Sequence, residues 1–390
     1  MFDVARVRGL YTSLGEGWIY LNAAERAQLP ERVISGVSTS FRTAPLVIPE
    51  EPGRKHSAQG LFGSQQLVTA QRAVADFFAV PADHVVVGSS LPELYRSLVA
   101  AGGRLFREKS VVTAGVSAGV FGALVSASAT YDVATGELPA WQFRQLVSGA
   151  TRLVAVAGGH RLLGTVAPLA EISDIVHEAS RAWLLADVTA LAPYRPIDID
   201  DLGVDIAAVD LTVLGGPDVA ALVFRDSSMF NRLGAFELAP VSPGLLGGVG
   251  PLMDHFSVLD DSLHGSRSLR IRDNMIYLDS YLSKLLTHLM QNVAGLPAVH
   301  VVGVTGEAAG YGLNSVDRVP RLTLIVRNTP TDIVYRRLLG NNIVVQVTPR
   351  DELLEQMGVF EAGGALTVAL SPFNTAYDID ELTRVLASFY

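Results

Sequence analysis

The sequence contains no cysteine, and only three of its 30 lysine and arginine residues are lysines: Lys55, Lys109 and Lys284. Without cysteine the chain has no disulfide, no thiolate metal ligand and no thiol nucleophile. Arginine does not form an imine with an aldehyde, because its guanidinium stays protonated at neutral pH. Schiff-base chemistry on a side chain would therefore require one of these three lysines.

Long apolar runs and an excess of positive charge are missing as well. No apolar run reaches the roughly 20 residues of a membrane-spanning helix, and residues 1–14 lack the apolar core of a signal peptide. The formal net charge is -9, which gives no electrostatic footprint for nucleic acid. The eight histidines show no metal-ligand spacing. We therefore expect a cytoplasmic protein that binds no membrane, no nucleic acid and no metal.

Apolar residues are abundant: they make up 49% of the 390 residues, against 18% for charged residues. This balance predicts a large buried core, and the length allows two domains. From residue 85 onward, short apolar runs alternate with segments of helical periodicity. One of these predicted helices begins directly after Ser117. The alternation predicts a mostly parallel sheet with helices on both faces. The predicted strands are 85–87, 110–113, 130–133, 153–156, 183–187, 206–209 and 220–224.

A different pattern begins near residue 243. A long helix, at about 264–293, is followed by predicted strands at 322–326, 343–347 and 366–370. The final predicted helix, 378–389, is preceded by Asn374 and Thr375 and opens with Asp378, which are residue types that cap helix N-termini. This order predicts a smaller α+β domain.

Asp187 stands at a predicted strand end, and short motifs occur along nearly the whole chain. The motifs are Gly17-Trp18-Ile19-Tyr20-Leu21-Asn22, Leu163-Gly164-Thr165, Ala192-Pro193-Tyr194-Arg195-Pro196, Gly203-Val204-Asp205, Gly216-Pro217 and Phe373-Asn374-Thr375-Ala376-Tyr377-Asp378. Together these residues resemble the class V aminotransferases, and within them the cysteine desulfurase-like branch. The resemblance implies an α/β fold of the fold-type I pyridoxal phosphate (PLP) kind, with a three-layer, mostly parallel sheet and a smaller C-terminal α+β domain. It also implies a homodimer, and such motifs indicate fold rather than activity.

The resemblance also implies a division of the chain. Residues 1–22 would form an N-terminal segment that packs on the small domain. Residues 23–242 would form the large aminotransferase-like domain, and residues 243–390 the small C-terminal domain.

The resemblance implies a cofactor cleft around Asp187, which in the family pairs with the pyridine nitrogen of PLP. A lysine four residues before the family's Gly-Pro forms the Schiff base. That position falls here on Thr212 to Val213, and alignment with the family places Val213 at the lysine. No catalytic residue is therefore assigned. The remnant of the cofactor cleft would comprise Asp187, Ser89, Ser90, Ser117 and Thr212.

Six further positions depart from the family pattern. Ser117 replaces the family's ring-stacking histidine, and Pro92 replaces its phosphate-binding threonine. Thr367 replaces the arginine that clamps the substrate carboxylate in the family. An arginine-containing segment that reaches the partner's phosphate is missing between residues 240 and 244. Desulfurase chemistry through a cysteine thiolate is excluded because the chain has no cysteine. The substituted positions are Ser117, Val120, Pro92, Arg161, Ala190 and Thr367.

The helix that begins near Ser90 illustrates the change. Ser90-Leu91-Pro92-Glu93 predicts a capping box with proline in the first turn. Pro92 removes one backbone N–H from a helix N-terminus that binds phosphate in the family. Glu93 would repel a phosphate by roughly 3 kcal/mol per unit charge at about 5 Å and an effective dielectric near 20. We expect this anion site to be weakened and filled from within the protein.

His160 and Arg161 follow a predicted strand and are candidate ligand-binding residues. An arginine at a strand end can bind an anionic ligand, or it can pair with Asp187 or Glu93. His160 is interpreted as a surface or pocket-rim residue rather than a catalytic base.

Three functions stay open. The leading hypothesis is a non-catalytic homologue without cofactor, which binds a small ligand or a protein partner in a remodelled cleft. The second is an active PLP-dependent aminotransferase or lyase with relocated groups, in which Lys55 is the lysine able to reach the cofactor. The third is a serine hydrolase, because residues 115–119 match the nucleophile-elbow pattern G-x-S-x-G. Ser117 would then act with Asp187 or Asp205 and with His255 or His264.

Overall fold

The structure is a computed structural model that describes residues 3–15, 17–43, 58–304 and 316–389, with the backbone alone for residues 58–64. The α-helices are α1 (Val4–Arg8), α2 (Glu31–Thr43), α3 (Ala58–Phe78), α4 (Leu91–Gly102), α5 (Trp141–Leu146), α6 (Leu169–Ala179), α7 (Pro243–Leu246), α8 (Val249–Ser257), α9 (Arg267–Ala294), α10 (Thr331–Leu339), α11 (Glu352–Gln356) and α12 (Ala376–Leu386). The strands are β1 (Ile19–Tyr20), β2 (Val85–Gly88), β3 (Val111–Ala114), β4 (Val125–Ala129), β5 (Leu153–Ala157), β6 (Trp183–Asp187), β7 (Ile206–Asp210), β8 (Ala220–Phe224), β9 (Val299–Val301), β10 (Arg321–Val326), β11 (Ile343–Val344), β12 (Gln346–Val347) and β13 (Leu366–Ala369).

A seven-stranded sheet forms the centre of the fold, in the order β2-β8-β7-β6-β5-β3-β4. Strand β8 is antiparallel to both of its neighbours, and the pairs from β7 to β4 are parallel. The mostly parallel sheet predicted from the sequence is therefore confirmed. In such a sheet the carboxyl ends of the parallel strands share one edge, where α/β folds bind their ligands.

The central sheet is buried on both faces. In β5, Val154 and Val156 belong to one apolar cluster, whereas Leu153 and Ala155 belong to another. Successive side chains of a strand point to opposite faces, so the two clusters are cores on opposite sides of the sheet. Apolar residues of α4 join the second core, and those of α6, α8 and α9 join the first. Burial on both faces explains why the strands are continuous apolar runs in the sequence.

A smaller C-terminal domain contains the antiparallel sheet β12-β13-β10-β9. The predicted α+β pattern is thus confirmed, while the boundaries at residues 22 and 242 stay predictions. The N-terminal strand β1 pairs in parallel with β11. At the start of α12, Thr375 and Asp378 form a capping box, as their residue types indicate.

Two predicted elements are wrong. The segment after Ser117 forms only two 3₁₀ turns, Ala118–Val120 and Gly122–Leu124. Gly122, the first residue of the second turn, has φ +52°, a backbone conformation that cannot continue a right-handed helix. The strand expected at 130–133 lies instead at Val125–Ala129. It ends there because the Gln142 side chain bonds both the backbone N–H and the carbonyl of Thr130.

Among the helices that the structure describes, none combines the length and the apolar character needed to cross a bilayer. The same residues contain no group of three or more histidine, aspartate or glutamate side chains arranged to hold a metal ion.

Candidate functional site

A cavity of about 820 Å³ opens at the carboxyl ends of β3, β5 and β6. Strand β6 ends in Asp187, β5 leads into residues 159–161, and β3 leads into residues 115–118, all of which line the cavity. The C-terminal domain contributes Arg321, the first residue of β10, and residues 351–353. The cavity therefore lies where this sheet topology is expected to bind a ligand.

The cavity brings together most of the residues singled out from the sequence. Asp187, Ser117, His160, Arg161 and Val213 all line it. Three others, Ser89, Ser90 and Thr212, are absent from the wall as the described residues form it. The backbone N–H and hydroxyl of Thr212 are instead bonded to Oδ1 of Asp210, which caps the 3₁₀ turn Leu211–Leu214.

Asp187 is held by hydrogen bonds from within the protein. The Tyr95 hydroxyl donates to Oδ2 at 3.1 Å, and the backbone N–H of Thr189 donates to Oδ1 at 3.0 Å. Burial raises the pKa of Asp187, although the bonds from Thr189 and Tyr95 oppose the shift. The carboxyl group at the end of β6 therefore takes its hydrogen bonds from one backbone N–H and one tyrosine hydroxyl.

The capping box predicted at the start of α4 is wrong. Ser90 is the N-cap residue, but its side chain makes no capping bond, while Pro92 lies in the first turn as expected. The Glu93 carboxylate accepts from the backbone N–H and the hydroxyl of Ser89, and from the backbone N–H of Ala239 at 2.8 Å. These bonds, led by that from the Ser89 hydroxyl, lower the pKa of Glu93. The Glu93 carboxylate thus occupies hydrogen-bond donors near the N-terminus of α4.

His160 is buried and lines the cavity, so of the two interpretations above the surface position is wrong and the pocket position agrees with the structure. Its Nδ1 accepts from the backbone N–H groups of Leu162 and Leu163, at 3.3 and 3.2 Å. Since Nδ1 is an acceptor, the ring proton of the neutral imidazole lies on Nε2, which faces Asp351 Oδ1 at 3.6 Å. His160 in this state donates from Nε2 and has no free lone pair there.

Arg161 pairs with Asp351, at 3.7 Å, and not with Asp187 or Glu93 as considered above. Burial disfavours ionisation of Asp351, but the bond from His160 and the charge of Arg161 outweigh it and lower the pKa. The wall at residues 160, 161 and 351 is therefore an internally balanced charge cluster.

The hydrolase triads considered from the sequence are not assembled with their proposed histidines. Ser117 is exposed at the cavity. His255 is buried elsewhere, where its Nε2 lies 2.9 Å from the Tyr11 hydroxyl. Asp205 is bound by His177, at 2.9 Å, and by Arg225. His264 is exposed and lies outside the cavity wall.

The described residues do not fit PLP held through a Schiff base. The position implied for the lysine is Val213, which lines the cavity. Lys109 and Lys284 are exposed and do not line it, and Lys55 lies outside the described residues. Tyr95 already donates to Asp187, the side chain that would bind the pyridine nitrogen.

Several residues of the site gave no signal in the sequence. They come from segments far apart in the chain, and none belongs to a recognised motif. Tyr95, for example, follows Leu91 and Leu94 on the apolar face of α4 and is typical of a core aromatic residue. The missed residues are Tyr95, which binds Asp187, and the cavity residues Tyr131, Arg321, Asp351 and Gln356.

Comparisons with known proteins agree with the fold. An uncharacterised protein of Mycobacterium tuberculosis is 34% identical to this chain, over 99% of both. The apo structure of a cysteine desulfurase from Thermococcus onnurineus superposes with a TM-score of 0.78 at 14% identity, covering 98% of this chain and 97% of the other. A C-DES mutant with glycine covalently linked to its PLP cofactor superposes at 0.73 with 16% identity, covering 98% and 99%. The family model "Aminotransferase class-V" matches residues 19–228. The chain therefore belongs to the class-V aminotransferase family.

Proposed function

We propose that this chain is a non-catalytic member of its family, which binds a small polar ligand in the cavity at Asp187. The family's chemistry depends on PLP, which acts as an electron sink once it is joined to an amine. The observation that carries the proposal is that Val213, and no lysine among the described residues, lines the cavity beside Asp187.

The hydrogen bonds of Asp187 support the same conclusion. Oδ2 accepts from Tyr95 and Oδ1 accepts from Thr189. Each oxygen of Asp187 thus has a donor within the protein, which holds the carboxyl group in place without a cofactor.

Reductive trapping tests this function. The purified protein is mixed with PLP, reduced with borohydride, digested and searched for a cofactor-labelled lysine peptide. We expect that labelling does not saturate at one PLP per chain. Surface lysines react only weakly with PLP, and their labelling does not saturate. A saturable label on Lys55 would instead establish the second hypothesis, an active PLP enzyme with a relocated lysine.

A serine hydrolase is a second candidate because of the turn that carries Ser117. Gly115 has φ +67° directly after β3, and Ser117 follows it, exposed in the cavity. The neighbouring His160 lacks the free Nε2 lone pair that a general base requires, since its Nδ1 accepts two backbone bonds. Labelling with a fluorophosphonate probe tests this candidate. Labelling of the wild type that disappears in Ser117→Ala would support the hydrolase, and we expect no labelling of the wild type.

We also propose that the protein is a homodimer. Helices α2 and α3 expose large apolar side chains to solvent, at 43% for Ile34, 48% for Phe41 and 46% for Val68. Both helices pack against α7 and α8, and exposed apolar side chains that form one contiguous patch mark association sites. Light scattering on the purified chain tests this, and a mass of one chain at all concentrations would contradict it.

A further inference from the structure

We infer that the cavity ligand carries a single carboxylate, which is held by Arg321. This inference rests on the ligand-binding function proposed above and names the chemical class of the ligand. It starts from a buried positive charge that has no negative partner in the part of the chain that the structure describes.

Arg321 is only 2% exposed, yet it forms part of the cavity wall. One terminal nitrogen donates to the backbone carbonyl of Arg161, and the other donates to the Tyr194 hydroxyl at 3.3 Å. The guanidinium also lies 5.7 Å from the centre of the Tyr194 ring. Its Nε has no hydrogen-bond partner. All of these partners are neutral, so the charge itself is not compensated.

Two other partly buried arginines have acidic partners, whereas the buried Arg318 has only neutral hydrogen-bond partners among the described residues and lies away from the cavity. Arg195 forms two bonds with Asp317, at 2.7 and 3.0 Å. Arg267 binds Asp76 at 2.6 Å. Within the described residues, no carboxylate lies within 4 Å of the Arg321 guanidinium. A buried charge without a counter-ion is strongly unfavourable, and an anion in the cavity would remove that penalty.

The remaining charges of the wall limit the ligand to one negative charge. Arg161 and His160 are already engaged by Asp351. Glu352 and Asp187 also line the cavity, and each would repel a dianion such as phosphate more strongly than a monoanion. A carboxylate carries a single charge, and its two oxygens match the planar fork of a guanidinium.

Arg318 offers a matched control three residues away. It is also buried, and its terminal nitrogens donate to the carbonyls of Leu163 and Val304, at 3.3 and 3.0 Å. Burial lowers its pKa to about 10. Unlike Arg321, it does not line the cavity. Replacing Arg318 therefore removes a buried guanidinium without changing the proposed ligand contact.

The experiment is a calorimetric titration with benzoate and with its neutral analogue benzamide, on the wild type, Arg321→Met and Arg318→Met. We expect benzoate to bind the wild type and benzamide to bind at least about tenfold more weakly, as a charge-assisted pair predicts. Arg321→Met should lose the preference for benzoate, whereas Arg318→Met should keep it. Inorganic phosphate should bind more weakly than benzoate.

Equal binding of benzoate and benzamide, full binding by Arg321→Met, or tighter binding of phosphate would each overturn the inference. If Arg321→Met does not fold, an NMR titration of the wild type tests the inference instead. Benzoate must shift the Nε–H resonance of Arg321, and benzamide must leave it unchanged. The titrations contain no PLP. Trapping of PLP would therefore refute the non-catalytic role and leave the benzoate result standing, so the two failures are distinguishable.

Discussion

His255 should make the stability of this fold depend on pH. The side chain is 1% exposed in α8, and its Nε2 lies 2.9 Å from the Tyr11 hydroxyl. Burial, assisted by the charge of Arg32, lowers the pKa of His255 from 6.5 to about 3. The folded protein thus keeps this imidazole neutral at pH values where the unfolded chain protonates it.

The magnitude follows from the two pKa values of His255. Below the unfolded pKa of 6.5, the unfolded state binds a proton that the folded state does not, so stability falls as the pH falls. The full loss, reached near the folded pKa, is about 5 kcal/mol at 1.36 kcal/mol per pKa unit. Between about pH 7.5 and about pH 5 the loss is about 2 kcal/mol.

Urea unfolding at these two pH values measures the effect, with His255→Gln as the test variant. Glutamine places a polar group near the Tyr11 hydroxyl but does not titrate, so the variant should lose about 2 kcal/mol less than the wild type between the two pH values. His264→Gln replaces an exposed histidine and should behave like the wild type. An unchanged pH dependence in His255→Gln would refute the reasoning.

Two further predictions concern Gly164 and Asp187. Gly164 has φ +78°, and a Cβ there would lie 2.7 Å from the carbonyl oxygen of Arg321, whereas Gly358 has φ +76° with open space around it. Gly164→Ala should therefore lower the unfolding free energy by at least about 1 kcal/mol more than Gly358→Ala does. Burial raises the pKa of Asp187, so the stability it contributes is present at low pH and is lost as the pH rises through its folded pKa. Asp187→Asn should thus gain stability relative to the wild type between about pH 4 and about pH 7, and a constant difference in urea unfolding would contradict this.

The strands of the central sheet were predictable because burial on both faces leaves a strong mark on the sequence. Residues 183–187 and 220–224 are uninterrupted apolar runs, closed by Asp187 in the first case, and both form strands. The segment after Ser117 misled because its apolar residues are spaced as in a helix. The spacing does not reveal the backbone conformation of Gly122, at which a right-handed helix cannot continue.

The candidate site was predictable only where one rule applied: polar residues at the ends of parallel strands meet at one edge. That rule located Asp187, Ser117, His160 and Arg161. Tyr95 lies 92 residues from Asp187 in the chain, and Arg321 reaches the cavity from the other domain. Such contacts depend on tertiary packing, which no local pattern encodes.

The described residues place no lysine at the cavity beside Asp187. Reductive trapping with PLP on the wild type and on Val213→Lys in parallel tests most directly whether the chain has a reactive amine there. Val213 lines the cavity, so a lysine at residue 213 supplies an amine at the position that the resemblance implies for the Schiff-base lysine. We predict a saturable label on residue 213 of the variant and none on the wild type. One PLP per chain trapped on a lysine of the wild type would contradict the account.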